Sequence, residues 1–272
     1  MSKTTPEGDQ SSEGRAAPRE AFREELADEL GMPVITVVSG WEGNTVVNLG
    51  EEAARAFLAV LDAELEGRKR RPKSVGLFLI GRGGFASFAD GVTRALEGRD
   101  LSLRALIPYQ TDGAFSLISL AAKRCLLHPY GALGAYDRRP LGRIVEEIDA
   151  ELIAELSISA DEVAADDEVV ARIAAERRHA RLARRLMERL VGGADSKLAS
   201  RLAAQMSAEV LGRQLALSAA ELKDLGVSAK LAGGDLAETM WALYRAYATE
   251  LGVLEPAIPR YTESEVADEV EF

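Results

Sequence analysis

The chain has 272 residues, 47% of them hydrophobic and only 6% aromatic, with a net charge of −11. That is enough apolar material for a real core, and its Ala- and Leu-rich character favours helices packed on a sheet over an all-β sandwich. The acidic balance, with a pI near 4.9, argues against non-specific nucleic-acid binding by the whole molecule, and no apolar run approaches the ~18–20 residues that a membrane span needs.

Residues 1–20 are rich in Ser, Glu, Gly and Pro and are expected to be disordered. They carry no apolar core of a secretory signal, which together with the single cysteine, Cys125, points to a cytoplasmic protein without a disulfide framework. A short helix is predicted over residues 21–30, ending at Gly31. Val34–Val38 is β-branched and continuously apolar, a buried strand. Glu51–Glu66 places Ala54, Phe57, Leu58, Leu61 and Leu65 at helical spacing. Val75–Ile80 is the next strand, followed by a helix over Phe88–Leu96, a strand over Leu103–Ile107, a helix over Ala114–Ala122 and a strand over Cys125–Leu127. Strands that alternate with helices and show no alternating polarity belong to a parallel sheet buried on both faces.

From Leu141 the chain reads as helical: Leu141–Leu156, Asp161–Leu190, Asp195–Met206, a short helix capped by Ser218 with Glu221 three residues later and stopped at Gly226, and Asp235–Leu251. The organisation predicted is thus a disordered segment (1–20), an α/β core (21–140), a helical extension packed on it (141–255) and an acidic tail (256–272). Apolar stripes in the extension (Ile144, Ile148, Leu152 and Leu156; Val169, Ile173, Leu182 and Leu186) suit packing within the chain or across subunits.

The chemistry-bearing positions cluster at two turns. Strand Val75–Ile80 feeds Gly81-Arg82-Gly83-Gly84, and strand Leu103–Ile107 leads through Pro108, Tyr109, Gln110, Thr111, Asp112 and Gly113 into a helix. Glycines after a strand let backbone N–H groups approach a ligand closely, and a helix start favours negative charge. Acyl-transfer sites need such donors, with a nucleophile and a base. An ordinary β–α turn is the plainer reading of either turn alone.

The order of blocks carries more. Ile80-Gly81-Arg82-Gly83-Gly84, then Thr111-Asp112-Gly113-Ala114-Phe115-Ser116-Leu117-Ile118, then His128-Pro129-Tyr130-Gly131-Ala132-Leu133-Gly134-Ala135-Tyr136-Asp137, and finally Gly212–Gly226, resembles the SDH proteinase family, Clp/crotonase-fold serine peptidases related to signal peptide peptidase A. The resemblance spans most of residues 32–227. It implies a Clp/crotonase-like α/β fold, with Gly83, Gly84 and Ala114 as oxyanion-hole-like backbone. It also implies that the nucleophile position is Gly113, which has no side chain to attack a carbonyl. The family's proline before the glycine pair is Arg82, and its histidine positions fall on Tyr130 and Leu211. The histidines present, His128 and His179, match neither.

Ser116 is the nearest alternative hydroxyl, although one bonded back to its own helix is the plainer role. Asp112 reads as N-cap of the following helix, Lys123 as a solvent-facing lysine and Asp137 as a turn residue. Arg82, Tyr109, Asp112, Tyr130 and Asp137 are the binding candidates. The arginines from Arg172 to Arg189, interleaved with Glu168, Glu176 and Glu188, read as a solvated, ion-paired face, and Trp241, Tyr244 and Tyr247 as a packing stripe. No metal or other cofactor is expected.

The expectation is a catalytically inactive peptidase homologue that binds a peptide or protein and forms homo-oligomers. The competing readings are an active serine-type peptidase with a non-standard nucleophile, and a crotonase-type acyl-CoA enzyme. If Gly113 has ordinary helix-start dihedrals, Gly113→Ser costs little. In either case Gly113 is expected to start a helix beside the N–H groups of Gly83 and Gly84.

Overall fold

The computed structural model describes residues 12–39, 49–66, 68, 70–137, 167–192, 195–211 and 215–250. In chain order the elements are α1 (Ser12–Leu30), β1 (Val34–Val38), α2 (Glu51–Leu65), β2 (Ser74–Ile80), α3 (Ala86–Glu97), β3 (Ser102–Ile107), β4 (Gln110–Thr111), α4 (Ala114–Ala121), β5 (Arg124–Leu127), β6 (Ala132–Leu133), α5 (Asp167–Gly192), α6 (Ser196–Gln205), α7 (Ala208–Leu211), α8 (Ala219–Asp224), β7 (Ala229–Leu231) and α9 (Asp235–Glu250).

Five strands form one parallel sheet in the order β1-β2-β3-β5-β7, and β4 pairs with β6 in a separate parallel ladder. The apolar runs explain the burial. In β2 alternate residues point to opposite faces: Val75, Leu77 and Leu79 enter one core, while Phe78 and Ile80 enter the other. The first core is roofed by residues of α2, α3, α4, α5 and α6, such as Phe57, Phe88, Phe115, Met187 and Leu202. The second is roofed by Leu26 of α1 with Met240, Leu243 and Tyr244 of α9. The molecule is therefore an α/β protein in which helices cover both faces of a parallel sheet.

Several boundaries differ from the sequence expectation. Helix α1 reaches back to Ser12, into the segment expected to be disordered. The region expected to be only a helical extension supplies β7, an edge strand of the main sheet beside β5. Ladder β4–β6 and strand β7 span only two or three residues each, too short for a period-2 signal. The capping box of α8 forms as expected: Glu221 N–H donates to Ser218 Oγ and Ser218 N–H donates to Glu221 Oε2 at 2.7 Å. Asp195 caps α6 by accepting from the N–H groups of Lys197 and Leu198, both at 2.9 Å. The expected helix Leu141–Leu156, with its apolar stripe, lies outside the described residues.

Candidate functional site

Strands β2 and β3 are neighbours and run parallel, so the turns that leave their carboxyl ends lie side by side. That edge is where parallel α/β sheets place ligands. The first turn holds three glycines with positive φ on either side of Arg82: Gly81 at φ 121°, Gly83 at φ 76° and Gly84 at φ 87°. The second turn ends at Gly113, which starts α4 with φ 61° and ψ −128°. A side chain in that conformation is strained, and such a sharp strand-to-helix turn is the geometry that lifts a nucleophile clear of its backbone in hydrolases.

The two turns are bonded directly to each other. Ala114 N–H donates to the Gly83 carbonyl at 2.9 Å. Gly83 N–H donates to Asp112 Oδ1 at 2.6 Å, and the Thr111 hydroxyl donates to the Gly81 carbonyl at 2.7 Å. A Cβ added at Gly84 would stand 2.9 Å from the Ala114 Cβ, so glycine is what allows this approach. The third segment closes the arrangement. Gly113 N–H donates to the Ala135 carbonyl and Gly134 N–H to the Thr111 carbonyl, each at 2.7 Å. Gly113, Gly83 and Gly84 are thus brought together as expected.

The role of Asp112 is not the expected one. Its carboxylate does not cap α4, whose N-cap is Gly113 without any side-chain bond. It is fully buried, points back across the strand boundary to Gly83, and lies 3.7 Å from Arg82 Nε through its other oxygen. Of the donors expected to form an oxyanion hole, Gly83 N–H is thereby held by a carboxylate and Ala114 N–H by a carbonyl. A buried carboxylate is stable here because it accepts a charge-assisted bond and faces a guanidinium.

The remaining candidates separate. Ser116 is fully buried and donates to the Gly134 carbonyl at 2.9 Å, tying α4 to the third segment instead of facing a substrate. Lys123 stands at the opposite edge of the sheet, where its N–H donates to the Leu103 carbonyl near the start of β3. Asp137 follows Tyr136, whose hydroxyl is pushed up in pKa by burial and then by the Asp137 charge. Leu211, at the expected C-terminal histidine position, is buried, and the residues after it, 212–214, lie outside the described residues.

Tyr109 and Tyr130 are 42% and 63% exposed and frame an aromatic row that the sequence did not suggest. Tyr109 packs on Tyr244 with ring centroids 5.6 Å apart, Tyr244 stacks on Trp241 at 4.9 Å, Trp241 stacks on His128 at 5.0 Å and His128 meets Tyr130 at 5.0 Å. The row links the segments after β3 and β5 to α9. His128 Nδ1 accepts the Tyr130 N–H at 3.1 Å, and burial lowers the His128 pKa. His179 of α5 is also buried and sets its ring edge-on to Phe85, centroids 6.3 Å apart. Phe85 directly follows Gly84, so an imidazole approaches the glycine turn from a helix that reads in sequence only as charged. Burial pushes the Cys125 thiol up to about 12, and the thiol donates to the Ser119 carbonyl at 3.0 Å; it is a core residue. Among the described residues no cluster of metal-ligating side chains occurs and no helix is long and apolar enough to cross a membrane.

No protein-family model and no curated protein matches the chain. Among solved structures it is similar to ClpP1 from Listeria monocytogenes, at 15% identity over 78% of this chain and 95% of that one, with a TM-score of 0.45.

Proposed function

We propose that this chain is a Clp-fold serine-peptidase homologue that has lost catalysis and acts by binding a peptide or protein partner, as a homo-oligomer. The observation that carries the reading is the state of the two turns. Gly113 stands at the strained start of α4 with no side chain, and the Asp112 carboxylate holds the Gly83 N–H that would otherwise face a developing oxyanion. Acyl transfer requires both a nucleophile and donors aimed at that oxygen. Here the first is missing, and two of the three expected donors, the N–H groups of Gly83 and Ala114, are bonded within the protein. The exposed Tyr109 and Tyr130, at the carboxyl ends of β3 and β5, are the side chains offered to a partner, because half-exposed tyrosines supply large contact area at small entropic cost.

An active peptidase using Ser116 is disfavoured by the burial of that hydroxyl and its bond to Gly134. The test is to incubate the purified chain with a fluorescent library of unstructured peptides and to follow hydrolysis and anisotropy in the same samples. Binding without cleavage is expected, weakened by joint Tyr109→Ala and Tyr130→Ala substitution. Turnover by the wild-type protein overturns the reading.

A further inference from the structure

The exposed half of α5 carries a basic face in an otherwise acidic protein. Arg177, Arg178, Arg181 and Arg185 are all exposed, and among the described residues none of them pairs with a carboxylate. The other arginines of the same stretch are engaged: Arg184 with Glu188 at 3.0 Å and Arg189 with Asp90. In the middle of the face lies Leu182, 49% exposed, one turn from both Arg178 and Arg185. The Arg184–Glu188 pair matches the ion-paired face expected from the sequence, while Leu182 is an exposed leucine flanked by guanidinium groups that pair with no carboxylate among the described residues. The helix is anchored beneath it by buried His179, Ala183, Leu186 and Met187, so the face is presented on a rigid support.

The chain itself contains a segment of matching chemistry. Residues 262–272 include Glu263, Glu265, Asp268, Glu269 and Glu271 with no basic residue, and carry Val266 and Val270 four apart. Acidic carboxylates around two apolar side chains complement guanidinium groups around a leucine. About 20 residues separate Glu250, the end of α9, from Val270, which reaches roughly 25 Å as a flexible coil and about 65 Å extended. A compact chain of this length has a radius of gyration of about 18–19 Å, so the segment reaches any face of the molecule. A tethered segment also acts at an effective concentration on the order of millimolar, enough to hold individually weak ion pairs.

We propose that residues 262–272 dock in cis on the basic face of α5, with Val270 against Leu182 and the carboxylates on Arg178, Arg181 and Arg185. This is independent of the reading of the glycine turns.

The test uses the full chain with Leu182→Cys and Val270→Cys, the native Cys125 being buried and unreactive. Mild oxidation should give an intramolecular disulfide at monomer mass, about tenfold faster than in a Val60→Cys, Val270→Cys control on exposed α2, an enhancement set by local concentration. The rate should drop towards the control in about 1 M salt, where the screening length falls to ~3 Å, and in the same protein carrying R178E, R181E and R185E. Circular dichroism reports whether the charge-reversed variant is folded; should it not be, R181E alone replaces it. Equal rates for both cysteine pairs, a rate insensitive to salt and charge reversal, or disulfides formed only between chains would each overturn the proposal, the last by assigning the face to a second copy.

Discussion

The Asp112 carboxylate accepts the backbone N–H of Gly83 at 2.6 Å, across the gap between two neighbouring strand–helix turns. One of the N–H groups that the proposed reading assigns to an oxyanion hole is thus occupied by an anion belonging to the protein. This bond also fixes the two turns to each other, together with the bond from Ala114 N–H to the Gly83 carbonyl. Removing the side chain in Asp112→Ala leaves a buried N–H without a partner, which costs about 1–3 kcal/mol. Asp112→Asn keeps an acceptor oxygen and should cost less. Formate, as a small replacement anion, should raise the melting temperature of Asp112→Ala and leave the wild type unchanged, since only a ligand of the folded state stabilises by mass action. Equal melting temperatures for wild type and Asp112→Ala would show that the bond carries no stability.

Gly113→Ser tests the backbone at the other side of the same site. With φ 61° and ψ −128° the position strains any side chain, so serine should destabilise by about 1–3 kcal/mol and lower the melting temperature by roughly 2–10 °C. The expectation of a nearly free substitution, which rested on ordinary helix-start dihedrals, is replaced by this one. Peptidase activity should not appear, because Gly83 N–H remains bonded to Asp112. A thermal melt superimposable on that of wild type would contradict the dihedral argument.

His128 makes stability depend on pH in a definite direction. Burial lowers its folded pKa, so below about pH 6.5, the ordinary histidine value, the unfolded chain takes up a proton that the folded one does not. Stability is therefore complete above that pH and falls as pH drops toward the folded value. Urea unfolding midpoints measured at pH 7.5 and 5.5 should fall more in wild type than in His128→Phe, which keeps a ring on Trp241 without a titrating group. Parallel pH dependence in the two proteins would remove His128 as the cause.

Cys125 should be silent in the native state. Its thiol is buried, bonded to the Ser119 carbonyl and held near 12, so a disulfide exchange reagent at pH 8 should label it only after denaturant is added. Reaction at the rate of a free thiol in native buffer would mean that the sheet opens locally between β3 and β5.

What was legible in the sequence follows from the range of each interaction. Uninterrupted apolar runs such as Val75–Ile80 announced buried parallel strands, and local capping chemistry announced α8, because both depend on neighbours within a few residues. The approach of Gly83, Gly84 and Gly113 followed from adjacent strands ending at one edge. The destination of the Asp112 carboxylate did not, since local rules favour an N-cap and the competing N–H lies 29 positions away. The aromatic row from Tyr109 to Tyr130 was hidden for the same reason, as α9 supplies its middle rings. Strands β4, β6 and β7 are defined by their pairing partners and leave no period of their own.

The proposal of a peptidase homologue without catalysis, with Gly113 at the helix start and the N–H groups of Gly83 and Ala114 bonded internally, meets its sharpest test in intact-mass spectrometry after exposure of the full chain to a fluorophosphonate probe. An unchanged mass is expected for the wild-type protein at probe concentrations that fully label a serine peptidase run alongside. Stoichiometric addition of the phosphonyl group, mapped to Ser116, Ser87 or any other serine, would contradict it.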